Sequence, residues 1–137
     1  MQLVTIAPAH VQAAWRFIEP FARNIAEGHH QQATRRGAAD IAQSIAEGRE
    51  LAWAVLDEAG EARALVLGGF VQFPRMKVLR IHSCVGIGRK AWVSLLSEIE
   101  AFAKAQGCEQ VEVICRKGWA RELPDYRLTH VVMVRAV

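Results

Sequence analysis

Apolar residues recur at two different periods along the chain, and the switches between them mark its elements. Leu3 to Ile6 predicts a short first strand. Pro8 then suits the first turn of a helix, where its missing N–H is no loss. Val11, Ala14, Trp15, Ile18, Phe21, Ala22 and Ile25 stand at helical spacing and predict a buried stripe. Pro20 interrupts the stripe and predicts a kink or a split. Gly28 to Gly37 is polar and unpatterned, which predicts a mobile loop carrying His29 and His30. A second helix is expected from about Ala38 to Glu47, with Ile41 and Ile45 inward and Gly48 as its stop.

Leu51 to Leu56 is a mostly apolar run and predicts a strand. The turn Asp57-Glu58-Ala59-Gly60 joins it to Ala62–Phe73 as an antiparallel hairpin. Gly68-Gly69 inside that partner predicts a bulge or a close backbone approach. Pro74 ends it, and Val78 to Cys84 predicts the fourth strand. Val85-Gly86-Ile87-Gly88-Arg89-Lys90 turns the chain. Trp92, Leu95, Leu96, Ile99, Phe102 and Ala103 then predict one long helix to Gln106, stopped by Gly107. Val111 to Cys115 is the fifth strand, Trp119 to Leu123 a short helix broken by Pro124, and Leu128 to Val134 the last strand. The order β-α-α-β-β-β-α-β-α-β gives an α/β (α+β) fold. It is a single domain over residues 1–137 with a mixed sheet of about six strands and helices on both faces. The unit from Val78 to Cys115 is expected to be a right-handed parallel crossover, with antiparallel partners on its N-terminal side.

Composition narrows the function classes. With 52% hydrophobic and 23% charged residues in 137, the chain is a folded domain rather than a disordered one. No apolar run reaches the roughly 20 residues that cross a bilayer. The N-terminus carries no basic segment with a cleavage site, so a cytoplasmic protein is expected. Three cysteines, Cys84, Cys108 and Cys115, are odd in number and lack C-x-x-C spacing, which predicts reduced core thiols. His29-His30 has no carboxylate nearby and makes a poor metal site, so no metal is expected. The net charge is +3, with Arg75, Lys77, Arg80, Arg89, Lys90, Arg116, Lys117 and Arg121 all in the second half. Such a patch favours an anionic ligand. No dense basic run interleaves with aromatics, so nucleic acid is not the expected partner. The glycine turn feeding a helix supplies free backbone N–H groups where an anion could sit.

The element order, together with the turn from Gly86 to Ala91, resembles the GNAT superfamily of N-acetyltransferases. As topology the resemblance covers essentially the whole chain, and it is most detailed from Leu79 to Leu128. There Gly88 to Leu96 parallels the cofactor turn and its helix, and Ala103 to Cys108 is similar to the family's A-x-x-x-G helix exit. More narrowly, the chain resembles small GNAT-like proteins of tailed phages and prophages. The shared features are Glu50-Leu51-Ala52-Trp53, Phe73-Pro74-Arg75, Ile99-Glu100-Ala101-Phe102-Ala103, and the segment from Arg116 to Arg127.

The resemblance implies an acyl-CoA-dependent N-acyltransferase acting in a bacterial host's cytoplasm. Acetyl-CoA or another acyl-CoA would lie with its phosphates near Gly86, Ile87, Gly88, Arg89, Lys90 and Ala91. An amine acceptor would approach from the side of the N-terminal helices. His82, on the fourth strand where this family's sheet splays, is the candidate base, and Glu112 a second of the same kind. The family's turn reads R/Q-x-x-G-x-G/A, whereas here Trp92 or Val93 stands where the last small residue belongs, and Gly86 and Gly88 come earlier. Leu123 stands where many members carry a tyrosine that protonates the leaving thiolate, and Tyr126 lies three residues further on as a substitute or a packing residue. Trp119, flanked by Gly118 and near Arg116, Lys117 and Arg121, reads as a core lock or as a stacking platform ringed by cations. Those departures leave an alternative: a non-catalytic GNAT-fold module that binds a phage or host protein. Leu128 to Val134, as an edge strand, could pair two copies into a homodimer.

Overall fold

The computed structural model describes residues 1–28 and 35–137. The expected loop from Gly28 to Gly37 and the pair His29-His30 thus fall wholly or largely outside the described residues. The elements are β1 (Gln2–Thr5), α1 (Val11–Glu27), α2 (Ala38–Ala46), β2 (Leu51–Leu56), β3 (Ala62–Phe73), β4 (Met76–Gly86), α3 (Leu96–Ala105) and β5 (Gln110–Val113). Short 3-10 turns lie at Pro8–His10, Arg89–Ala91, Val93–Leu95 and Lys117–Arg121. The five strands form one sheet in the order β1-β2-β3-β4-β5, antiparallel except for the parallel pair β4–β5.

Alternation along the strands sends side chains to two cores, one on each face. Trp53, Val55, Ala64, Val66, Leu79 and Ile81 meet Leu96, Ile99 and Ala103 of α3 on one side. Ala52, Ala54, Leu65 and Leu67 meet Ile18, Ala22 and Ile25 of α1 and Ile41 and Ile45 of α2 on the other. Both faces are covered, which is why β2 reads as a continuous apolar run rather than an alternating one.

Where the glycine pair predicted a bulge, the register between β3 and β4 slips: Gly68 faces Ile81, and Leu67 faces Ser83. His82 is therefore the extra residue on β4. One inserted residue reverses the alternation. Before the bulge Leu79 and Ile81 point to the α3 core, and after it Cys84 does.

Three expectations need correction. Pro20 does not split α1, which runs unbroken from Val11 to Glu27. The proline is on the exposed side, while Ile18, Ala22 and Ile25 keep the buried stripe continuous against the sheet, so packing holds the helix where one hydrogen bond is lost. The long helix before Gly107 begins late: two 3-10 turns precede α3, and between them Trp92 leaves the helical region, with φ −131° and ψ −7°, and buries its ring in the core. Leu128 to Val134 is not a strand, and the sheet has five strands rather than six. Leu128, Val131, Val132, Met133 and Val134 are all at least 59% exposed, so their strand propensity has no partner edge or core face to act on.

Candidate functional site

Only the first half of β4 has neighbours on both sides. From Val78 to Ile81 it pairs with β3 and with β5, and the last bond is Ile114 N–H to Ile81 O at 2.8 Å. Beyond Ile81, β3 follows β4 to Gly86, while the chain after β5 leaves for the 3-10 turn Lys117–Arg121. The divergence opens a cleft of about 490 Å³. Cys84, Val85, Gly86 and Ile87 form one wall, with Arg89 and Trp92 beyond them. Arg116 and Trp119 face them, and Pro20, Phe21 and Asn24 of α1 close the cleft from the other side of the sheet.

Local geometry fixes the turn at the cleft's end. A Cβ on Gly86 would lie 2.6 Å from both the Ala64 Cβ and the Arg63 carbonyl oxygen, so β4 can close on β3 there only with glycine. Gly88 has φ +65°, the left-handed region that glycine enters freely. The Ala91 and Trp92 N–H groups bond inward to Gly88 O and Arg89 O. Among the described residues the N–H groups of Gly88, Arg89 and Lys90 have no hydrogen-bond partner. These three donors are what the turn can offer an anion. Trp92 fills the space beneath them, 1% exposed, and its Nε1–H donates to Ile87 O at 3.1 Å. Trp92 is thus a strut that holds the turn from inside.

The turn's guanidinium is already engaged. Arg89 donates from Nε and Nη2 to the two carboxylate oxygens of Glu122, and it lies over the Trp119 ring at 4.5 Å. The Arg89 hydrogen bonds hold the Glu122 carboxyl below its ordinary range. Trp119 is buried against Trp92, ring centres 6.3 Å apart, so it is a core lock that also carries a cation on its face. Burial pushes the Cys84 thiol up to about 12, against a smaller opposing pull from Arg89.

His82, the bulged residue, sits on the α1–α2 side of β4; it is not itself among the residues lining the cleft, which on this strand begin two positions on at Cys84. Its Nδ1 is 3.1 Å from the Ser83 hydroxyl and its Nε2 3.4 Å from Glu50 Oε1. Glu50, 8% exposed, also accepts from both terminal nitrogens of Arg36, at 2.5 and 2.9 Å. Burial raises the Glu50 carboxyl, but hydrogen bonds from His82, Arg36 and Ser44 with the charge of Arg36 outweigh it and hold the group down at about 2. The carboxylate is therefore ionised beside the imidazole at any physiological pH.

Other candidates lie elsewhere. Tyr126 is not among the residues lining the cleft; its hydroxyl donates to Glu100 on α3 at 2.7 Å, and burial together with that carboxylate raises its ionisation above the ordinary phenol value. Leu123 is buried in the α3 core. Glu112 accepts from Arg80 across the β4–β5 pair at 2.8 Å. Of the expected basic patch, Arg80 and Arg89 are neutralised in these pairs and Lys77 is bonded to Gln106 O. All three cysteines are free thiols, but only Cys84 is a buried core residue; Cys108 is partly buried and Cys115 is exposed, because the chain leaves the sheet after β5. Among the described residues no cluster of three or more His, Cys, Asp or Glu is placed to hold a metal ion, and no helix is long and apolar enough to cross a membrane.

Three residues of the site escape the sequence reading: Arg36, Glu50 and Glu122. Glu50 has a faint signal, a carboxylate directly before an all-apolar strand.

No family model matches the sequence, and no curated protein is significantly similar to it. Solved structures do match over the whole chain. A probable acetyltransferase superposes with a TM-score of 0.71 at 10% identity, covering 100% of this chain and 97% of its own. An aminoglycoside acetyltransferase from an uncultured soil metagenomic sample gives 0.69 at 14% identity, covering 99% and 96%. The ribosomal-protein-alanine N-acetyltransferase of Brucella melitensis gives 0.67 at 9%, covering 99% and 100%. With the five-stranded mixed sheet and the helices on its two faces, these likenesses show that the chain adopts the GNAT fold of the acyl-CoA N-acyltransferases.

Proposed function

We propose that this protein is an N-acyltransferase that draws its acyl group from an acyl-CoA and passes it to an amine. The observation that carries the reading is the divergence of β4 from β5 directly after Ile81, which opens a cleft with three unpartnered N–H groups at its end and a carboxylate-held histidine on the same strand. The donors of Gly88, Arg89 and Lys90, with the charges of Arg89 and Arg116, suit the cofactor's phosphates. Bound acyl-CoA would supply an activated thioester carbonyl. Trp92 and Trp119 would exclude water from that end of the cleft.

The acceptor amine must lose a proton as it attacks. Ionised Glu50 favours the His82 tautomer with hydrogen on Nε2, which leaves Nδ1 as the basic nitrogen. That nitrogen, which accepts from the Ser83 hydroxyl in this structure, takes the proton once that hydroxyl turns away from it. The thiol Cys84 is a poor proton donor to the departing thiolate. Burial pushes its pKa up to about 12, above that of an ordinary thiol, so the transfer runs uphill. Tyr126 is committed to Glu100. The thiolate therefore departs as the anion or takes its proton from water, and catalysis rests mostly on orienting the two reactants.

The test is release of free thiol from acetyl-CoA in the presence of a panel of primary amines, with wild type and His82→Ala compared. Amine-dependent release that falls about 100-fold in the variant supports the reading. Release that ignores both the amine and His82 would sink it. A second reading, a non-catalytic module of the same fold, draws on the bulky Trp92 or Val93 after the turn, on Leu123, and on the neutralised Arg89. It predicts no thiol release with any amine.

A further inference from the structure

Glu122 occupies an unusual place. It caps the C-terminal end of the 3-10 turn Lys117–Arg121, where a carboxylate gains nothing from the turn's own dipole. Its partner Arg89 belongs to a different wall of the cleft, 33 residues earlier. The pair bridges the two sides of the β4–β5 divergence, with Trp119 beneath the guanidinium. Lys90 and Arg121 add their charges around the same carboxylate. A local concentration of positive charge is thus held together by one internal anion.

Resting on the acyl-CoA reading, we propose that Glu122 is a built-in stand-in for a ligand phosphate, an anionic latch that a diphosphate must displace from Arg89. Two carboxylate oxygens and two phosphate oxygens span the same Nε–Nη2 fork, so the two anions compete for one set of donors. While Glu122 holds the fork, only Arg116 of the two cations lining the cleft keeps its charge uncompensated by this pair. When a diphosphate takes the fork, Glu122 turns to solvent and the two walls lose their covering bridge. The latch thereby selects the class of ligand. An acyl thioester carrying closely spaced phosphates can open it, whereas an acyl-pantetheine without a diphosphate leaves it shut.

The test titrates acetyl-CoA and S-acetyl-pantetheine into wild type and Glu122→Gln by calorimetry. The amide keeps the shape and removes the charge. Acetyl-CoA should bind the variant about tenfold more tightly, with S-acetyl-pantetheine unchanged. Equal or weaker acetyl-CoA binding by the variant overturns the latch and leaves the cofactor reading standing. Absence of acetyl-CoA binding by both proteins at millimolar ligand overturns the cofactor reading itself. Should Glu122→Gln fail to fold, the wild type decides the matter through the Arg89 Nε–Hε resonance, assigned by its loss in Arg89→Lys. Acetyl-CoA should shift that resonance and S-acetyl-pantetheine should not; an unmoved resonance at saturating acetyl-CoA overturns the proposal.

Discussion

The two halves of β4 share a strand and differ in almost everything else. Val78 to Ile81 is flanked by β3 and β5, and Leu79 and Ile81 are buried to within about 1% of their surface. His82 to Gly86 has β3 alone, begins with a bulge, and lines a cleft for part of its length. In the first half every backbone direction is spent on the ladder. In the second, the departure of β5 leaves one edge of the strand unspoken for. A single inserted residue, His82, separates the half that stabilises from the half that can bind.

That contrast predicts opposite responses to substitution. The largest effect belongs to the paired half. Ile81→Ala opens a cavity in the α3 core and should cost about 3 kcal/mol in urea denaturation, with acyl-transfer activity per folded molecule retained. Acid should reach the other half first. Glu50 ionises at about 2 in the folded protein against 4.5 when unperturbed, a depressed value. Its contribution is therefore complete above pH 4.5 and lost as the pH falls toward 2, up to about 3 kcal/mol. Urea titrations across that window should show wild type losing stability that Glu50→Gln never had; parallel pH profiles would refute it. His82→Ala should reduce turnover about 100-fold and cost only about 1 kcal/mol in urea denaturation, the partner that buried Glu50 loses, which inverts the balance of the Ile81 result. Smallest is Glu112→Gln, whose half-exposed pair with Arg80 is worth under about 1 kcal/mol and should leave activity unchanged.

The same contrast marks what the sequence discloses. β2 and β3 are legible to the residue, because covered strands write themselves as apolar runs closed by turn residues. The bulge is legible too, since Gly68-Gly69 breaks such a run. Trp92 deceives: it stands at helical spacing, yet its φ of −131° takes it out of the helix to brace the turn from below. Leu128 to Val134 has strand composition, but pairing depends on an available edge, which composition does not encode. Within the site, His82 is visible as a histidine on the right strand. Its partners are not, since Glu50 and Arg36 come from 32 and 46 positions away and a lone charge before a strand reads as solvated. Arg89 reads as a free cation for the same reason, with Glu122 hidden 33 residues on. Contacts of this separation are set by topology, which periodicity reveals only coarsely.

The most direct measurement is an amide NMR titration of the protein with acetyl-CoA. The account predicts shifts from Ser83 through Ala91, strongest at Gly88, Arg89 and Lys90, with Met76 to Ile81 undisturbed. Saturable binding that moves the amides of Met76 to Ile81 but leaves the turn still would contradict it.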